Sequence, residues 1–92
     1  MQWLKLFMNI KYKPMNKISI EFFGKLVEIT GKKNIVLENI IDTENLKFQI
    51  NGLFPAMKEQ TYMIALNNKL ISNNTSILNN CNVACMPPFA GG

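Results

Sequence analysis

The chain has 92 residues, 48% of them apolar and 17% charged, with a formal net charge of +4. That length allows one domain whose core is just large enough to fold without a metal or disulfides, and the composition is ordinary for a globular protein. Lys5, Lys11 and Lys13 lie among the first fourteen residues, which hold no acid, so residues 15–92 carry seven Lys against six acids, a net of 7 − 6 = +1. Nothing in that balance asks for nucleic acid, and no run of about 18 apolar residues marks a membrane span.

Residues 1–14 (MQWLKLFMNIKYKP) are apolar and basic without clean alternation. They read as an N-terminal extension, dispensable to the fold or disordered, with the domain occupying 15–92. The segment lacks the small-residue cleavage site of a secretory signal, while a mitochondrial-type address stays open although it has neither Arg nor Ser. Well-patterned sequence starts after Met15. Lys17 to Phe22 alternates strictly, with Ile18, Ile20 and Phe22 on one face, which predicts a half-buried strand. Gly24 ends it. Leu26 and Ile29 suit a short helical turn closed by Thr30-Gly31, and Ile35 and Leu37 mark a second strand.

Asp42-Thr43, followed by Glu44, is a helix-start signal. Leu46, Ile50, Leu53 and Phe54 then form one apolar stripe expected to face the sheet, and Pro55 stops the helix. Tyr62 to Leu66 reads as a buried strand, Asn67-Asn68 as a tight turn, and Leu70-Ile71 as its partner strand. Turns follow at Asn73-Asn74-Thr75 and Asn79-Asn80, with Ile77-Leu78 between them as a buried corner. Asn82 to Met86 is the last strand. The order strand, strand, helix, strand, strand, strand predicts an α+β layer pair with one main helix on one face of the sheet.

Cys81 and Cys85 are four residues apart, about 13 Å along a strand, too far for a disulfide or for two ligands of one metal. The chain has no histidine, so these thiols are expected as small core residues in a reducing compartment, with no metal site. The chain ends in Met86-Pro87-Pro88-Phe89-Ala90-Gly91-Gly92. Two prolines should make a stiff strut, and Ala90, Gly91 and Gly92 a slim tip able to enter a narrow channel. Phe89 is a candidate anchor for a pocket in a partner, or it folds back onto its own sheet.

Three stretches together resemble the small ubiquitin-like (β-grasp) sulfur carriers, and within them the small subunit of molybdopterin synthase. Ile18 to Gly31 looks like the family's opening strand and its following glycine-terminated pattern; Ile64 to Ile71 is similar to its hairpin; Val83 to Gly92 resembles its ending of two prolines, two variable residues and Gly-Gly. The likeness covers about Met15 to Gly92. Val27 stands where members often have Arg, Asn79-Asn80 where they have Asp-Gly, and Cys85 and Met86 where they often have aromatics, which should leave a softer apolar surface beside the tail.

The resemblance implies a β-grasp mixed sheet with a protruding C-terminal tail at 87–92, a cytoplasmic setting, and a specific chemistry. An activating enzyme uses Mg-ATP to adenylate Gly92, a sulfur donor displaces AMP, and the resulting thiocarboxylate gives sulfur to the pterin precursor inside the large synthase subunit, in an assembly of two large and two small chains. The reacting carbonyl would belong to Gly92; Gly91, Ala90, Phe89, Pro88, Pro87 and Met86 would bind the partner. No cofactor would be held permanently, and no catalytic apparatus of the chain's own is implied. The other readings are a sulfur carrier for thiamine synthesis or tRNA thiolation, a modifier joined to lysines through Gly92, and a β-grasp interaction module with an inert tail.

Overall fold

The computed structural model describes residues 16–78 and 81–88; residues 1–15, the expected turn at Asn79-Asn80, and Phe89 to Gly92 lie outside the described residues. β1 (Lys17–Phe22) buries every second side chain, Ile18, Ile20 and Phe22, as its alternation requires. A short helix α1 (Lys25–Thr30) follows, ended by Gly31 in the left-handed region at φ 75°. The Thr30 hydroxyl donates to the Leu26 carbonyl and accepts from the Lys32 N–H, which tightens that end. β2 (Asn34–Glu38) returns antiparallel to β1, with Ile35 opposite Ile20 and Leu37 opposite Ile18.

The main helix α2 (Thr43–Leu53) is capped by Asp42, whose carboxylate accepts from the Asn45 N–H at 2.8 Å. Asn74 adds a second cap from the far side of the chain, its side-chain oxygen accepting from the Glu44 N–H at 2.8 Å. Leu46 and Ile50 are fully buried, but Leu53 is 54% exposed, so the expected stripe is shorter than its spacing suggested. Pro55 opens a 3-10 helix, Pro55–Glu59, whose turn carries Met57 under the sheet, where it fills the end of the core in place of Leu53. Phe54, the stripe's last member, does pack against the core: it stands edge-on to Phe22, ring centres 6.0 Å apart.

β3 (Met63–Leu66) and β4 (Lys69–Ile71) form the expected hairpin through Asn67 and Asn68, both in the left-handed region, as a two-residue turn between twisted strands demands. Ile77 is buried, but Leu78 is 73% exposed, so only half of the expected corner belongs to the core. The reason is local: Ile77 donates its N–H to the Ile41 carbonyl at 2.9 Å, which fixes one side chain inward and leaves its neighbour facing out.

β5 (Asn82–Met86) is the central strand of the sheet order β2-β1-β5-β3-β4, parallel to β1 and antiparallel to β3. The core lies between this sheet and α2. No helix among the described residues is long and apolar enough to cross a membrane.

Candidate functional site: the root of the tail and the open sheet face

The tail leaves from the middle of the sheet. Val83 and Cys85 point into the core while Asn82, Ala84 and Met86 point to the face away from α2, and hydrogen-bonded neighbours hold β5 on both sides. The ladder runs to its end, with Cys85 opposite Phe22 and Met86 opposite Met63, and the Cys85 carbonyl accepts one further bond from the Phe23 N–H at 3.0 Å. Pro87, which has no N–H to give, follows at the first position where none is needed. Met86 and Pro87 are half-buried and Pro88 is exposed, so these three sequence-predicted residues form the root of a strut. Phe89, Ala90, Gly91 and Gly92 are outside the described residues.

The face opposite α2 is uncovered by any described element. Its centre is a shallow hollow of about 340 Å³ where Ser19, Ala65 and Ala84 are too small to fill the surface, with Glu21 and Asn82 beside them. At the tail end the hollow meets a row of larger side chains: Phe23 just past the end of β1 (42% exposed), Met86 of β5 and Met63 of β3. This is the apolar surface expected beside the tail, with one correction. Cys85 is no part of it, being fully buried on the other face; burial pushes its thiol up to about 12, against a smaller opposing pull from Lys47. Val83 is likewise core. Sequence reasoning missed Phe23 and Met63, although strict alternation carried one residue past Phe22 and read back from Ala65 places both outward.

Cys81 and Cys85 are both buried free thiols, as their spacing required. Under α2, Lys47 stands 5.8 Å from the Tyr62 ring, and the Tyr62 hydroxyl donates to the Asn51 side-chain oxygen at 3.1 Å. Burial, with a smaller contribution from Cys85, raises the Tyr62 hydroxyl well above its ordinary range. These groups flank a second hollow of about 310 Å³ near the start of α2, but Thr43, Asn74 and Asp42 spend their polar atoms on one another and on the helix cap.

A five-stranded mixed sheet with a central parallel pair formed by its first and last strands and one crossing helix define the β-grasp, ubiquitin-like fold. The sequence pattern of the ThiS family matches residues 20–92, and the chain belongs to that family. Among solved structures it is similar to a putative molybdopterin converting factor subunit 1 from Pyrococcus furiosus (TM-score 0.74, 18% identity, 79% of this chain and 98% of that one). It is also similar to small archaeal modifier protein 1 from Methanosarcina acetivorans (TM-score 0.69, 17% identity, 87% and 100%). A third likeness, at 28% identity and TM-score 0.62 over 83% and 99%, is to a Helicobacter pylori complex of subunits 1 and 2 of molybdopterin-converting factor. No curated protein matches significantly.

Proposed function

We propose that this chain is the sulfur-carrying small subunit of a molybdopterin synthase, and that Gly92 is its reacting residue. One observation carries the reading: the family match extends through the tail to residue 92, and the fold delivers that tail from the central strand beside an uncovered face. The Gly92 carboxylate is a poor acyl donor. An adenylating enzyme would join it to AMP from Mg-ATP with release of pyrophosphate; sulfide would then attack the carbonyl and expel AMP, leaving a thiocarboxylate. Glycine suits that carbonyl because nucleophile and phosphate must both approach it closely.

The large subunit would take the tail into its own active site, contributing the groups that pass sulfur to the pterin precursor, while Phe23, Met63, Met86 and Phe89 provide apolar contact. The likeness to a solved complex of subunits 1 and 2 supports such a partner. The likeness to small archaeal modifier proteins supports a second reading, in which Gly92 is joined to lysines of other proteins.

The test is intact mass after incubation with an adenylating enzyme, Mg-ATP and sulfide. A gain of about 16 Da, oxygen replaced by sulfur, in the full chain but not in one lacking Gly92 is the expected result; no gain with an enzyme proven active on another carrier would overturn sulfur carriage. Addition of the large subunit and pterin precursor then separates the two readings. Loss of that 16 Da with formation of a dithiolene supports the synthase, and lysine-linked conjugates with no dithiolene support the modifier.

A further inference from the structure

Gly24 meets two constraints at once. Its backbone lies at φ 60°, ψ −138°, where L side chains rarely sit, and a Cβ placed on it would stand 3.1 Å from Pro87 Cγ and 3.4 Å from Pro87 Cδ. Gly31 shares only the first: its φ is 75°, yet a Cβ there would meet nothing within 4 Å. The bare face of Gly24 is therefore occupied by the proline at the root of the tail. The adjacent Phe23 N–H bond to the Cys85 carbonyl ties this glycine to the end of β5.

We propose that Gly24 is a positioning residue for the tail, its uncovered Cα serving as the seat on which the Pro87 ring fixes the direction in which the chain leaves the sheet. The inference rests on the sulfur-carrier reading, because direction matters only when Gly92 must reach a partner's active site. The ring already has a fixed φ; the open torsion is the one at Met86 that swings it, and a flat contact on Gly24 removes that freedom before binding. Leverage makes the contact consequential. Five residues beyond Pro87 can span about 16 Å, so a tilt of about 10° at the root displaces the tip by about 3 Å, whereas about 1 Å of misplacement at a reacting centre can cost about a hundredfold in rate.

Gly31→Ala supplies a control at positive φ with no contact to the tail, though in the milder αL region (φ 75°, ψ 14°), so the variants that remove the Pro87 ring separate contact from backbone strain. The experiment compares Gly24→Ala, Gly31→Ala, Pro87→Ala and the Gly24→Ala/Pro87→Ala double variant, all at a temperature where circular dichroism shows them folded. With an adenylating enzyme that acts on the wild type, pyrophosphate exchange is followed against carrier concentration. Gly24→Ala is expected to lower kcat/KM tenfold or more, largely through KM, while Gly31→Ala stays within twofold of wild type. The double variant should lose less than the product of the two single penalties, since the added methyl then has no ring to displace and only the backbone strain at Gly24 remains. Equal effects of the two glycine variants, or penalties of Gly24→Ala and Pro87→Ala that simply multiply, would overturn the proposal. The direction itself is read without any enzyme from residual dipolar couplings of the Phe89 amide, which should change in Gly24→Ala and hold in Gly31→Ala while core couplings hold in both. If no enzyme adenylates the wild type, the sulfur-carrier reading fails, and unchanged Phe89 couplings in Gly24→Ala would overturn the positioning role separately.

Discussion

Cys85 illustrates how a residue beside a functional element can be kept out of its chemistry. It immediately precedes Met86 and Pro87, yet its side chain is sealed in the core, its thiol is held neutral by burial, and Tyr62 nearby is shifted in the same direction. A thiol that stays protonated is a poor nucleophile and a poor target for alkylation. Iodoacetamide at pH 8 should leave Cys85 unmodified in the native protein and label it in urea, as read by peptide mass after digestion. The same shift makes a pH prediction. A folded pKa raised above the unfolded value means that the unfolded state loses its proton first, so stability is fully present below about pH 9 and declines as pH rises towards about 12. Urea midpoints measured from pH 7 to 10.5 should fall, and fall less in Cys85→Ala referenced to its own value at pH 7. An equal fall in both proteins would remove Cys85 as the cause.

The elements show where pattern sufficed and where geometry overrode it. Strict alternation located β1, and two asparagines in succession located the β3–β4 turn, because each signal is local: side-chain direction in a strand, and tolerance of positive φ at a single residue. At the end of α2 the signal was not local. Leu53 has helical spacing from Leu46 and Ile50, but the core at that end is filled by Phe54, at the helix C-cap, and by Met57, which the chain brings back through a 3-10 turn after Pro55. No periodicity announces such a turn. The difference is measurable: Ile50→Ala, emptying a fully buried site, should cost about 2–5 kcal/mol, whereas Leu53→Ala should stay within about 0.5 kcal/mol. A urea titration of each variant decides it, and a large cost at Leu53 would restore the longer stripe.

At the scale of the molecule, the tail's message and the domain's stability are carried by different residues. The last strand contributes Val83 and Cys85 to the core, and nothing beyond Met86 pairs with the sheet among the described residues. The ending Pro-Pro-x-x-Gly-Gly was therefore legible in sequence as a motif, while its seat was not: Gly24 and Pro87 are 63 positions apart, and only the parallel pairing of β1 with β5 brings them together. The same pairing explains why the open face could be foreseen only in outline, since Phe23 follows the end of β1 while Met86 and Met63 belong to β5 and β3, and the sequence does not state the order of these strands. Separation of the two roles gives a last prediction. Removal of Gly91 and Gly92 deletes no side chain and leaves every ladder bond among the described residues in place, so thermal unfolding should be unchanged within about 2 °C, much less than the 4–8 °C that a 1 kcal/mol loss produces in a domain of this size. The shortened chain should nonetheless gain no sulfur, because the carbonyl now at its end belongs to Ala90, whose methyl crowds the approach that the adenylate and the sulfur nucleophile both need. A truncated chain that unfolds markedly earlier would mean that the terminal residues pack against the domain, and its silence in the mass assay would then report lost structure instead of a missing reactive end.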